Sequence, residues 1–163
     1  MRLRLISIAL ISYALVGCAS GGVARPDPDI GASKRLLTLD ETMEIPSFPA
    51  NGSTKIDQTI NGYKTAVYVV SAVKGQTLTI QMENDAGNVY FDVLESKGSG
   101  KKIFSTEAAC RGARIRAPSN ATYVIRPFLP RAMAEAQATA RYSLCLTRCE
   151  PGKCQGLESN WEI

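Results

Sequence analysis

Histidine is absent from all 163 residues. That removes the side chain most often used as a general base near neutral pH and as a metal ligand. It also excludes nucleophile–His catalysis of every kind. Aromatic residues are few, at 7%, and tryptophan occurs once. No run of Lys and Arg exceeds two residues and the basic residues are scattered, so nothing points to nucleic acid as a partner. No apolar stretch reaches the roughly 20 residues that a membrane-spanning helix needs. There is no βαβ alternation and no internal repeat, which argues against parallel α/β folds and solenoids. With 45% hydrophobic and 21% charged residues, the chain has an ordinary globular composition and a length suited to one domain.

What is present begins with a leader. Arg2 and Arg4 precede an apolar run from Leu5 to Val16, the length of a signal-peptide hydrophobic region. The run ends in Leu15-Val16-Gly17-Cys18. This segment resembles the lipobox of bacterial lipoproteins, in which small residues precede a cysteine that becomes the lipidated first residue. The resemblance implies a signal peptide over residues 1–17 and a lipid-bilayer anchor at Cys18, made effectively permanent by acyl chains worth about 0.8 kcal/mol per buried CH₂. Ala19, not Asp, follows the cysteine. By resemblance to Gram-negative lipoproteins, that implies a place in the cell envelope at the outer membrane, facing the periplasm. Without Arg2 and Arg4 the 19 basic residues become 17 against 15 acidic ones, a net charge of +2. Residues 18–33 are rich in Gly, Pro, Ser and Asp and read as a flexible tether, so the folded domain is expected over 34–163.

The rest of the chain alternates. Leu36 to Leu39 reads as a short strand or ordered arm, and Glu44 to Phe48, interrupted by Pro46, as an edge strand. From Thr54 to Ile60, Ile56 and Ile60 point one way and Lys55, Asp57 and Thr59 the other. Asn61-Gly62 is a turn signal. Tyr63 to Val73 is apolar on both faces and reads as a central strand, with Thr77 to Met82 as its half-exposed partner beyond the Lys74-Gly75-Gln76 turn. Val89, Phe91 and Val93 continue the alternation, followed by strands over Lys102–Ser105, Thr122–Leu129 (interrupted by Pro127) and Ala138–Thr147. Arg131 to Gln137 has good helix formers and room for one or two turns. About eight short strands with turn signals between them predict an all-β domain, an antiparallel, jelly-roll-like β-sandwich.

If Cys18 carries lipid, Cys110, Cys145, Cys149 and Cys154 remain. An even number in an exported protein reads as two disulfides. Cys149 and Cys154 flank a Glu-Pro-Gly-Lys turn that brings them into range, which leaves Cys110 with Cys145. A zinc site from the same residues lacks the paired C-x₂-C spacing. The carboxylates Asp85, Asp92, Glu95 and Glu107 show no spacing that sets two of them across a cleft. No catalytic residue, cofactor or metal ligand is expected.

Ile60-Asn61-Gly62, Tyr68, Ala72, Gly75-Gln76-Thr77-Leu78, Tyr90-Phe91-Asp92-Val93 and Tyr123 to Leu129 form a dispersed pattern. It resembles the bacterial inhibitors of goose-type lysozyme, small β-sandwiches related to pre-peptidase C-terminal domains. The resemblance implies a non-catalytic, protein-binding module. Lysozyme inhibitors of several families carry an S-G-x-x-Y loop that enters the enzyme's cleft. The nearest match is Ser119-Asn120-Ala121-Thr122-Tyr123, with Asn, which tolerates positive φ, in place of Gly. On this resemblance Ser119, Asn120, Tyr123 and the nearby Arg126 form the partner-binding site, and the partner is a lysozyme-like hydrolase. A structural or adaptor lipoprotein that binds another envelope protein or a glycan is the alternative.

Overall fold

The structure, a computed structural model, describes residues 27–48, 52–84, 88–98, 100–106 and 112–149. Among the described residues, nine strands and two short helices form two layers. The strands are β1 (Glu41–Glu44), β2 (Gly52–Asn61), β3 (Thr65–Ala72), β4 (Thr77–Asn84), β5 (Tyr90–Glu95), β6 (Lys101–Ser105), β7 (Gly112–Arg116), β8 (Ala121–Phe128) and β9 (Thr139–Cys149). A five-stranded sheet has the order β1-β3-β8-β5-β6 and faces a four-stranded sheet of order β2-β9-β4-β7. All pairings are antiparallel except β1 with β3. The expected all-β sandwich is therefore the fold, with a parallel strand added at one edge.

Period-2 alternation explains the core. Leu78, Ile80 and Met82 of β4 and Leu144 and Leu146 of β9 turn inward to meet Tyr68, Val70, Phe91, Val93, Tyr123 and Ile125 from the opposite sheet. The residues between them in β3 and β8 face outward, yet Val67, Val69 and Val124 are no more than 1% exposed. A second, smaller cluster explains this: Leu36 and Met43 pack on these valines and Leu94, so the five-stranded sheet is covered on both faces.

The cover is the N-terminal segment, and here the structure corrects the sequence reading. The expected tether over residues 18–33 overlaps the described residues from Asp27, and these include helix α1 (Ile30–Lys34). Asp29 caps it, its Oδ1 accepting from Ala32 N at 2.8 Å. Ala32 and Ser33, at 4% and 0% exposure, are small enough to let the helix lie close on the sheet. The strand at the edge is Glu41–Glu44, not Leu36–Leu39 or Glu44–Phe48. Leu36 instead nests on Gly100, where an added Cβ would lie 2.4 Å from Leu36 Cδ2.

A second correction concerns β3 and β4. They flank the Lys74-Gly75-Gln76 turn but belong to different sheets. The turn crosses the sandwich, and Gly75, with φ +81°, donates to Ala117 O at 2.7 Å. The partners of β3 are β1 and β8, and those of β4 are β9 and β7. Pro127 does not interrupt β8. Pairing with β3 stops at Ile125, so the missing N–H falls where β8 bonds to β5 alone.

The strands define two poles. β3, β5 and β9 end, and β8 and β6 begin, at the pole where Asp29 N donates to Thr122 Oγ1 at 3.0 Å. This is the entry pole. The opposite pole carries the Asn61–Lys64 turn, the end of β8 and helix α2 (Arg131–Glu135).

Candidate functional site

Ser119 and Asn120 lie in a bend just before β8, at the entry pole. Asn120 is exposed, and its Oδ1 accepts from Lys74 N at 2.9 Å. Its side chain thus joins the bend to the cross-sheet turn. Tyr123 is 2% exposed and belongs to the core. Burial, reinforced by the charge of Glu95, raises its pKa above the ordinary tyrosine value. The expectation that Tyr123 enters a partner's cleft is therefore corrected: alternation along β8 turns it inward with Ile125. Arg126 is not beside this bend either. It stands six residues along β8 from Asn120, about 20 Å in an extended strand. The sequence-expected site is thus divided between the two poles.

Arg126 instead lines a cavity of about 870 Å³ at the opposite pole. Its Nε lies 2.6 Å from Glu41 Oε1, with the two side chains 21% and 6% exposed. Its Nη2 also donates to Leu36 O and, at 3.3 Å, to Glu41 Oε2. The pair fastens the N-terminal segment to β8 and leaves the floor without excess charge. Thr38 and Asp40 form the adjoining rim.

Aromatic side chains make the walls. Tyr90 at the start of β5 and Phe128 at the end of β8 stand opposite each other in register, ring centroids 5.9 Å apart. Tyr63 projects from the Asn61–Lys64 turn, 50% exposed. That turn is closed by Asn61 N donating to Lys64 O at 3.2 Å and Lys64 N donating to Asn61 O at 2.9 Å. Positive φ at Gly62 (+58°), with none at Tyr63, matches the type II′ pattern.

Helix α2 completes the cleft with Arg131 and Ala134, together with Leu129 and Pro130 just before it. It ends in a Schellman arrangement: Ala138 N donates to Met133 O at 3.0 Å and Gln137 N to Ala134 O at 3.1 Å. Gln137 holds the left-handed position at φ +54° and packs its amide against Gly62. Arg131 is exposed and paired with Glu135 at 2.7 Å. The result is an open, aromatic-walled cleft with an exposed tyrosine and an exposed arginine at its rim. These residue types dominate the energetics of protein–protein contacts. Sequence reading missed Tyr63, Tyr90 and Phe128. The available signal was Tyr63 directly after Asn-Gly, since an aromatic ring at the tip of a tight turn has little core to enter.

Of the other expected residues, Cys145 and Cys149 lie half-buried on the outer face of β9. Neither forms a disulfide with another described residue. Cys18, Cys110 and Cys154 lie outside the described residues, as do the leader and the residues after Cys149. Four residues of extended strand put Cys145 and Cys149 about 13 Å apart, so no bridge joins them to each other within one chain. Asp92, one of the four carboxylates whose spacing places no two across a cleft, is paired with Lys102 Nζ at 2.7 Å.

No family model and no curated protein matches this sequence. Solved structures do match the fold. PliG of Aeromonas hydrophila, a periplasmic inhibitor of g-type lysozyme, aligns with a TM-score of 0.60 at 21% identity over 67% of this chain and 97% of PliG. A mutant of the Escherichia coli PliG aligns with a TM-score of 0.52 at 18% identity over 66% of this chain and 97% of that one. The Salmonella Typhimurium PliG gives 0.50 at 18% identity over 68% and 99%. The domain therefore has a PliG-like β-sandwich fold.

Proposed function

We propose that this chain is a lipid-anchored envelope protein that binds and inhibits a g-type (goose-type) lysozyme through its aromatic cleft. The observation that carries the reading is one of extent: the sandwich spans 97% of a PliG chain while presenting a cleft rimmed by Tyr63 and Arg131. An exposed tyrosine on a tight turn brings a large contact area at little conformational cost, and an arginine beside it pairs with carboxylates of the kind a glycosidase uses. Tyr63 and Arg131 are the contacts of this reading, with Arg126 holding the floor beneath them.

The test is inhibition of goose-type lysozyme by residues 19–163. Stoichiometric inhibition that weakens at least tenfold in Tyr63→Ala, with unchanged thermal stability, supports the reading. No inhibition at micromolar protein overturns it.

The anchor at Cys18 belongs to the same proposal. Cys18→Ala then releases the protein from washed membranes, and a variant that still pellets after a salt wash refutes the anchor. The disulfides Cys110–Cys145 and Cys149–Cys154 are proposed with it. A non-reduced digest that yields Cys110–Cys149 or Cys110–Cys154 peptides refutes that pairing.

A further inference from the structure

We infer that the entry pole of the sandwich docks on an anionic lipid surface, which turns the aromatic cleft away from the bilayer. The orientation rests on the Cys18 anchor proposed above; the charge pattern stands independently of it. The described chain enters at Asp27 to Asp29, and Asp29 is bonded to the first turn of β8. Eight residues lie between Cys18 and Asp27, nine steps of chain with a reach of about 30 Å when fully extended. The entry pole is thus the part of the domain held nearest to the headgroups.

That pole is basic. The bend at Asn120 is bonded to Lys74 N. The β5–β6 loop, carrying Lys97, is held by Ser96 N donating to Thr122 O at 2.9 Å. Lys101 begins β6 opposite Glu95, and Arg116 ends β7 opposite Thr77. Lys74, Lys97, Lys101 and Arg116 are all exposed. The described carboxylates nearby are Asp27, Asp29, which caps α1, and the half-buried Glu95. At the cleft pole the balance differs. Of its carboxylates, Glu41 and Glu135 are already ion-paired to Arg126 and Arg131, and Asp40 lies where its backbone O accepts from Thr65 N, the residue after Lys64, at 3.3 Å.

Each cation near an anionic leaflet strengthens partitioning roughly fivefold, and the attraction fades within a Debye length of about 8 Å at physiological salt. A short tether keeps this pole at high effective concentration near the surface. Glu150, Lys153, Glu158 and Glu162 follow β9 in sequence, three acidic residues against one basic. Their net charge opposes the attraction if they stay near this pole, so the assay retains them.

The experiment is co-sedimentation of residues 19–163, which keep every described contact, with phosphatidylcholine vesicles with and without phosphatidylglycerol. Expected is partitioning at least tenfold stronger on the anionic vesicles, abolished by high salt. The triple variant Lys74→Glu, Lys97→Glu, Lys101→Glu loses about 100-fold or more, while Lys64→Glu, Arg131→Glu, Arg141→Glu, with the same change in net charge, stays within a few-fold. Circular dichroism and the melting temperature check that both variants are folded. Equal partitioning on both vesicle types overturns the inference, as do equal losses in the two variants. The acyl anchor is absent from this assay, so a negative result leaves the Cys18 reading to its own test.

Discussion

The hydroxyls of Tyr68 and Tyr142 meet at 2.8 Å between the sheets, joining β3 to β9 across 74 residues of sequence. Both rings are buried, at 0% and 3% exposure. Removing one hydroxyl leaves the other with a lost partner in an apolar setting, which costs about 1–3 kcal/mol. Tyr68→Phe is expected to lower stability by that amount in urea titrations. The double Tyr68→Phe, Tyr142→Phe variant recovers part of the loss, because neither ring then carries an unpaired hydroxyl.

The same pair sets a pH limit. Burial is the main cause that pushes Tyr68 up to about 12, against the hydrogen bond from Tyr142 and with the charge of Glu44. Tyr142 is driven further in the same direction by burial and by its bond to Tyr68. In the unfolded chain both ionise near 10. The folded state holds its protons longer, so the pair's contribution to stability is full below about pH 10 and is lost as pH rises from there through about 12. Urea midpoints measured across that window should drop steeply in the native protein. The slope should be shallower in the double Phe variant.

Glu41 and Arg126 hold the N-terminal segment at the cleft floor. Glu41→Ala leaves a largely buried guanidinium without its carboxylate, a loss of about 3 kcal/mol. The expected readout is selective: amides of β1 lose hydrogen-exchange protection before those of β8. Uniform loss across both strands would show that the pair supports the whole sandwich instead of fastening the segment.

Gly62 and Gln137 adjoin, each with positive φ. Gly62→Ala incurs the left-handed cost of roughly 1–2 kcal/mol and sets a Cβ 2.9 Å from the Gln137 amide. Gln137→Gly relieves the same cost at the helix end, and a rise in stability of up to about 1 kcal/mol is expected from thermal melts. A fall would mean that the Gln137 side chain stabilises the turn more than its backbone strains it.

Side-chain alternation made the layers legible in advance. Leu78 and Ile80, and Leu144 and Leu146, declare the inner face of β4 and β9 because a strand's two faces differ by one residue. The double apolar face of Tyr63–Val73 declared a covered strand. Alternation does not say which strands pair, so the cross-sheet turn at Gly75 looked like a hairpin. Helix α1 was illegible for another reason. Five residues are too few to form a stable helix alone, and Gly31 and Ser33 have weak helical preference, so burial of Ala32 and Ser33 holds the turn helical. The cleft draws on the N-terminal segment, the β2–β3 turn, β5, β8 and α2. No local pattern marks residues that only the closed fold brings together. The inward position of Tyr123 is legible from its alternation with Ile125, which makes Ser119-Asn120 a turn before a strand whatever the motif match implies.

The position of the two poles has a mechanical consequence. Asp29 is tied to one end of β8 and the aromatic cleft is formed at the other. A tug on an occupant of the cleft, resisted at the N-terminus, therefore runs lengthwise along the five-stranded sheet. Its ladders are loaded in shear, with many hydrogen bonds sharing the strain together, not peeled open one at a time. Such a domain acts as a stiff link between whatever it grips and whatever holds its N-terminus.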